Sequence, residues 1–207
     1  MGSDLSTPSD AMRSWMDPED DGQTPLDPDE VQGLKLAFVA TRADLNGAEA
    51  TNIIAGMKWA EGQVRSGVEI ASDVFLRQLH ARLFGQVWTW AGKYRTTERN
   101  IGMDPARIAV AVRQLFDEVA GWQEYASYPL DEQAARLHHR LTFIHPFPNG
   151  NGRTSRAMAD LFLRSKAAPA LTWGASLPAA DARARYLAAV RAADGHDFSP
   201  LLEVIHL

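Results

Sequence analysis

The sequence predicts an all-α domain that carries one short β-hairpin. Three observations predict it. Apolar residues recur at helical spacing, as in Phe75, Leu79 and Leu83, or in Ile108, Val112, Leu115, Val119 and Trp122. Residues that cap helices, Ser72 and Asp104 among them, stand just ahead of such runs. No stretch alternates apolar and polar residues for long enough to build a sheet.

Taken in order, the chain begins outside this pattern. Residues 1–30 hold nine acids (Asp4, Asp10, Asp17, Glu19, Asp20, Asp21, Asp27, Asp29, Glu30) and one base, Arg13. So acidic a segment, rich in Ser, Pro, Asp and Gly, buries too little apolar surface to order itself. A disordered tail over 1–23 is therefore expected, followed by one domain over 24–207. Trp15 and Met16 in the tail offer a docking patch, against the plainer reading of an unstructured leader. Pro28, Asp29 and Glu30 open a short helix through about Ala40. A longer helix runs from Gly47 to about Val64, its apolar stripe made of Ile53, Met57, Ala60 and Val64. Gly56 and Gly62 weaken that helix locally. Ser72 caps the next one. Residues 91–103 break the helical pattern with Gly92, Gly102 and the polar run RTTERN, which reads as an extended hairpin. Asp104 and Pro105 then supply a cap and a first-turn proline. Asp131 to Ile144 and Thr154 to about Lys166 are helices on either side of a tight loop. Helices near 181–193 and 199–206 close the chain, and there is no internal repeat.

Composition narrows the function classes. The 207 residues include no cysteine, so neither a disulfide framework nor a thiolate metal site is expected, in keeping with a reducing cytoplasm. No apolar run approaches the ~20 residues that span a bilayer, and the N-terminus does not read as a secretory signal. A soluble cytoplasmic protein without a membrane partner is the expectation. The net charge of -5 is unevenly divided: residues 31–207 alone carry 17 acids and 20 bases. That mildly basic domain suits a polyphosphate but is too weakly charged to imply nucleic acid.

The most informative segment is Ile144–Arg156, reading IHPFPNGNGRTSR. His145 follows a helical run and precedes Pro146. Pro148, Asn149, Gly150, Asn151 and Gly152 cannot comfortably extend the helix, so they read as a loop. Gly150 and Gly152 permit positive φ and leave backbone N–H groups uncovered, as an anion nest requires. An amphipathic helix opens at once, its positive dipole end facing whatever the loop holds. Arg153 and Arg156 share one face of its first turn. Two cations there repel that dipole unless a polyphosphate occupies the site.

These residues carry a resemblance to the Fic/Doc family, whose motif is approximately His-x-Phe-x-(Asp/Glu)-Gly-Asn-Gly-Arg-x-x-Arg. His145, Phe147, Gly150, Asn151, Gly152, Arg153 and Arg156 match it, with Asn149 standing where an acid is usual. The segments TRADLNGAEATNI, VWTWAGKYRTTERNIGMDP and RAADGHDFSPLLE extend the likeness over about residues 24–207. They resemble in particular the bacterial subgroup called mobile mystery protein B.

The resemblance implies a Fic-type helical domain that transfers AMP from ATP to a Tyr, Thr or Ser hydroxyl of a target protein. Chemistry with another nucleotide, phosphoryl transfer, AMP removal and nucleotide sensing are the alternatives. The residues suit transfer. A hydroxyl is a poor nucleophile at neutral pH, and imidazole, with a pKa near ~6.5, can take its proton, which points to His145. The 150–152 N–H groups, Arg153 and Arg156 can stabilise charge on the phosphates, with the Asn151 amide orienting one oxygen. Phe147 packs the loop. Asn149 falls where the family places a Mg²⁺ ligand, and its amide oxygen can ligate only without charge. By resemblance the hairpin is a flap that docks the target by backbone pairing, through Thr96, Thr97, Glu98 and Asn100. A regulatory partner is also implied. Many relatives restrain themselves through a (Ser/Thr)-x-x-x-Glu-(Gly/Asn) helix. Thr41 and Asn46 fit its ends, but with Leu45 at the glutamate position and Asp44 one residue off. Ser199 and Glu203 fit at the other terminus, with Val204 last. His138, His139, Trp88, Trp90 and Tyr94 read as packing groups.

Overall fold

The computed structural model describes residues 28–207, so the 1–23 tail with Trp15 and Met16 lies outside the described residues. The elements are α1 (Pro28–Val31), α2 (Arg42–Arg65), α3 (Asp73–Phe84), a 3₁₀ turn (Pro105–Arg107) leading into α4 (Ile108–Glu124), α5 (Leu130–Ile144), α6 (Asn151–Ser165), α7 (Ala179–Asp194) and α8 (Ser199–Ile205). Among the described residues β pairing is limited to one isolated antiparallel bridge, Leu34 to Trp88.

Two N-terminal expectations need correction. The helix expected through Ala40 stops at Val31. The chain there turns to pair with the segment after α3: Thr89 N–H donates to Gly33 O at 2.8 Å and Lys35 N–H to Val87 O at 2.9 Å. Only glycine lets it come so near, since a Cβ on Gly33 would lie 2.5 Å from Trp90 Cδ1. The next helix begins at Arg42, earlier than Gly47, because Thr41 and Asp44 form a capping box. Thr41 Oγ1 accepts Asp44 N–H at 3.1 Å and Asp44 Oδ2 accepts Thr41 N–H at 2.9 Å.

The buried stripe of α2 is also rotated from the expected one. Leu45, Glu49, Asn52, Gly56 and Ala60 face the core, while Ile53, Met57 and Val64 flank it. The small and polar residues are there because α2 lies directly against the end of α3. A Cβ on Gly56 would meet Arg82 O at 2.7 Å. Asn52 closes the contact, donating to Arg82 O and accepting Gln86 N–H, each at 2.9 Å.

In α3 and α4 the sequence pattern holds. Ser72 caps α3 through Phe75 N–H, and Phe75, Leu79 and Leu83 are buried. Asp104 caps the turn before α4, whose Ile108, Val112, Leu115 and Val119 are buried. The main core also takes Leu137, Leu141 and Ile144 from α5 and Met158, Leu161 and Phe162 from α6. A smaller cluster, including Ala135, Ala189, Ala193, Phe198, Leu201 and Ile205, docks α7 and α8 on the outer side of α5. Helix α5 thus lies between two apolar layers, while α6 packs into the main core.

Candidate active site

The turn joining α5 to α6 is the motif. Helix α5 ends in a left-handed residue, His145, at φ 52° and ψ 59°. Such a cap is common for glycine and strained for a residue with a Cβ. Phe147 follows, wholly buried, its ring 3.7 Å from that of His80 between centroids. Asn151 brackets Phe147, accepting its N–H at 2.9 Å and donating to its carbonyl at 2.8 Å. The Asn151 amide therefore shapes the loop, and its second N–H is the one that could orient a phosphate oxygen. Gly150, at φ 76°, needs its missing side chain, because a Cβ would lie 2.6 Å from the Phe84 ring.

Helix α6 starts at Asn151, three residues before the expected Thr154. Gly152 is accordingly a first-turn residue and does not use positive φ. The first bond inside the helix runs from Thr154 N–H to Gly150 O at 2.9 Å, leaving the N–H groups of Asn151, Gly152 and Arg153 without a helical acceptor. The anion cradle is thus a helix N-terminus rather than a free loop.

His145 is buried, 6% exposed, and neither ring nitrogen has an aligned hydrogen-bond partner. Burial pushes its pKa down to about 4, the Arg95 charge adds to this, and the Thr142 backbone acts weakly the other way. Imidazole is then neutral at pH 7, the form that accepts a proton. Arg156 lies over the Tyr186 ring at 5.5 Å. Arg153 is paired: its Nη1 donates to Glu49 Oε2 at 2.5 Å, while Glu49 Oε1 accepts Trp88 Nε1–H at 2.7 Å.

Asn149 Oδ1 already accepts Gly150 N–H at 2.6 Å. Among the described residues no group of three or more His, Asp or Glu could hold a metal. One neutral, occupied amide oxygen does not make a resident magnesium site. A divalent cation would arrive on the nucleotide's phosphates, as part of the substrate.

Residues 96–102 lie beside His145, but the expected β-hairpin is absent. The segment has no cross-strand ladder. Arg95 organises it instead: Nε donates to His145 O at 2.7 Å, Nη1 to Thr97 O at 2.9 Å, and Nη2 to Met103 O. A ladder would need those carbonyls for a partner strand. Thr96, Thr97, Glu98 and Asn100 are exposed on this loop, and Arg99 reaches back to Glu30 at 2.7 Å.

The Fic/DOC family profile matches residues 72–163, from the cap of α3 almost to the end of α6. Residues 72–163 are therefore similar to the Fic/DOC family. A protein adenylyltransferase, fic-1 of Caenorhabditis briggsae, is 32% identical over 141 residues, covering 66% of this chain and 27% of its own length. The chain thus spans about a quarter of that relative. Two solved structures share the fold. Fic-1 (residues 134–508) from C. elegans has a TM-score of 0.57 at 23% identity, covering 85% of this chain and 55% of that one. BepC, a VirB-translocated effector from Bartonella tribocorum solved with bound AMPPNP, has a TM-score of 0.59 at 18% identity, covering 81% of this chain and 87% of that one.

Within the matched segment the fold brings His145, Asn149, Gly150, Asn151, Gly152, Arg153 and Arg156 together on one turn, with the 96–102 loop alongside. Among the described residues, neither partial match to the restraint pattern contacts the motif arginines. Leu45 is a core residue, Thr41 is a helix cap, and Glu203 is exposed on α8 without an ion pair to Arg156. The carboxylate that does reach the motif is Glu49, four residues after Leu45 on the buried stripe. Its signal in the sequence was an acid at a core-facing position, hidden because no Ser or Thr precedes it by four. His80 was also missed. Its Nδ1 accepts Gly92 N–H at 2.9 Å, so its Nε2–H donates to Asn149 O at 3.0 Å, joining the motif turn to the segment that leads into the 96–102 loop. His138 and His139 are packing groups as expected, bonded to the Tyr186 hydroxyl and to Asp194, each at 2.9 Å.

Proposed function

We propose that this protein is a protein adenylyltransferase that moves AMP from ATP to a Tyr, Thr or Ser hydroxyl of a target protein. One observation carries the reading: a buried imidazole, His145, whose ring nitrogens have no aligned hydrogen-bond partner, on the same turn as two arginines and a helix N-terminus with three N–H groups that lack a helical acceptor. The target hydroxyl oxygen attacks the α-phosphorus of ATP and its proton passes to a ring nitrogen of His145. The bond from the α-phosphorus to the bridging oxygen breaks, and pyrophosphate leaves. The N–H groups of Asn151, Gly152 and Arg153, with the Arg153 and Arg156 guanidiniums, face the charge that builds up on the phosphates. The bound AMPPNP of the Bartonella structure supports a nucleotide in this site; Mg²⁺ would come with the phosphates of ATP.

The exposed residues Thr96, Thr97, Glu98 and Asn100 would meet the target, and a bacterial cytoplasm is the setting this reading assumes. Glu49 restrains the enzyme by occupying Arg153, and a regulatory partner would act by drawing Glu49 away.

Incubation with α-labelled ATP tests the reading. Covalent label on protein, lost in His145→Ala with nucleotide affinity kept, is expected, because removing a general base costs about 10²–10⁴ in rate. Reversible binding without label would make the protein a nucleotide sensor instead. Equal labelling by the variant would remove His145 from its role.

A further inference from the structure

We propose that Arg95 is a positioning residue of the transfer reaction: its buried guanidinium sets the main chain of the base, His145, and clamps both ends of the 96–102 loop against it. This rests on the adenylyltransferase reading given above.

The last carbonyls of α5 have no helical donors, and the left-handed turn at His145 followed by Pro146 brings none. Three donors from the loop satisfy three consecutive carbonyls. Met103 N–H donates to Ile144 O at 3.3 Å, Arg95 Nε–H to His145 O at 2.7 Å, and Arg95 N–H to Pro146 O at 2.9 Å. The rest of the guanidinium turns to the loop, Nη1 to Thr97 O and Nη2 to Met103 O.

Arg95 is 3% exposed and, among the described residues, forms no ion pair with a carboxylate. Glu98 and Asp104 favour its charge without pairing with it, so its side-chain hydrogen bonds all go to carbonyls, a costly arrangement for a buried cation if it served stability alone. Its rigid planar fork is what three fixed acceptors require, and a lysine could not reproduce it. Gly102 completes the device. At φ 95° it lies so near the base that a Cβ would be 2.5 Å from His145 Cβ and 2.9 Å from Arg95 Nη2. The residues meant to meet the target are thereby referred to the base through one side chain. The same charge also helps hold His145 neutral.

The test compares wild type, Arg95→Lys and Arg95→Gln in the full chain. For transfer, both variants should lose about tenfold to a hundredfold in kcat with little change in KM for ATP, as misplacement of a reacting group does. In NMR titrations the His145 imidazole should titrate higher in Arg95→Gln than in wild type, and less so in Arg95→Lys. Exchange of the backbone amide hydrogens at position 95 and at Met103 should quicken in both. Folded variants with unchanged kcat, His145 titration and exchange would overturn the proposal. So would failure of both to fold, which would make Arg95 a stability element. If wild type itself transfers nothing, the adenylyltransferase reading fails, while titration and exchange still decide the Arg95 assignment.

Discussion

Arg153 stands in the first turn of the motif helix with its guanidinium 2.5 Å from the Glu49 carboxylate, so a phosphate arriving there must displace an acid. The pair is unevenly buried, 37% exposed on the Arg153 side chain and 9% on Glu49. Solvent screens the arginine, yet the carboxylate keeps a second anchor in Trp88. Glu49→Gln removes the charge and can keep that anchor. We expect KM for ATP to fall, or auto-modification to rise, by about tenfold, the equivalent of ~1.4 kcal/mol. Steady-state kinetics at equal folded fraction check this. An unchanged KM and rate would show that Arg153 is not limiting for nucleotide binding, and that Glu49 serves packing alone.

At the level of elements, α2 joins the motif to the rest of the core, and its contact with α3 depends on one glycine. Ordinarily Gly→Ala inside a helix stabilises by up to about 1 kcal/mol. Gly62→Ala should do so, since a Cβ there meets nothing nearer than Arg65 Nη2 at 3.9 Å. Gly56→Ala should do the opposite and destabilise by roughly 1–3 kcal/mol, as overpacking does. Its Cβ would lie 2.7 Å from Arg82 O and 2.9 Å from Leu83 N, backbone atoms that cannot swing aside. Urea unfolding of the two variants gives the comparison. Shifts of the same sign would mean that α2 and α3 are free to part.

For the whole molecule, buried histidines couple stability to pH. Burial pushes His80 and His138 down to about 3 each, well below the ordinary ~6.5. The unfolded chain therefore binds protons that the folded one refuses. The stabilisation is complete above pH 6.5 and is lost as pH falls from there toward 3, by up to ~1.4 kcal/mol per histidine per pH unit. His80 has a further reason to resist protonation. A proton on Nδ1 would face Gly92 N–H, breaking the bridge between the motif turn and the segment leading to the loop. Urea midpoints should fall between pH 7.5 and 5.0, and by less in His138→Gln. A midpoint independent of pH over that interval would contradict the burial of both rings.

Local rules and tertiary packing divided this protein between them. The helices with strong apolar spacing and a capping residue, α3 and α4, were legible in the chain because caps and periodicity act within a few residues. So was the motif turn, since Pro146, Pro148 and Gly150 constrain the backbone wherever they stand and the motif residues are adjacent in sequence. The boundary of α6 was misread because glycine permits a loop without requiring one, and packing on Phe84 and His80 chose the helix. The hairpin over 91–103 was misread because a polar, Gly-flanked run shows turns but not which donors will meet its carbonyls. Arg95 supplies them, in contact with a turn fifty residues away in sequence. Glu49 and Arg153, 104 residues apart, meet only because α2 and α6 pack on the same core. The sequence by itself determined the helices, the motif and the chemistry its residues can perform. Tertiary structure alone decided which charges neutralise one another and what holds the base, because those depend on distances between segments that no local preference encodes.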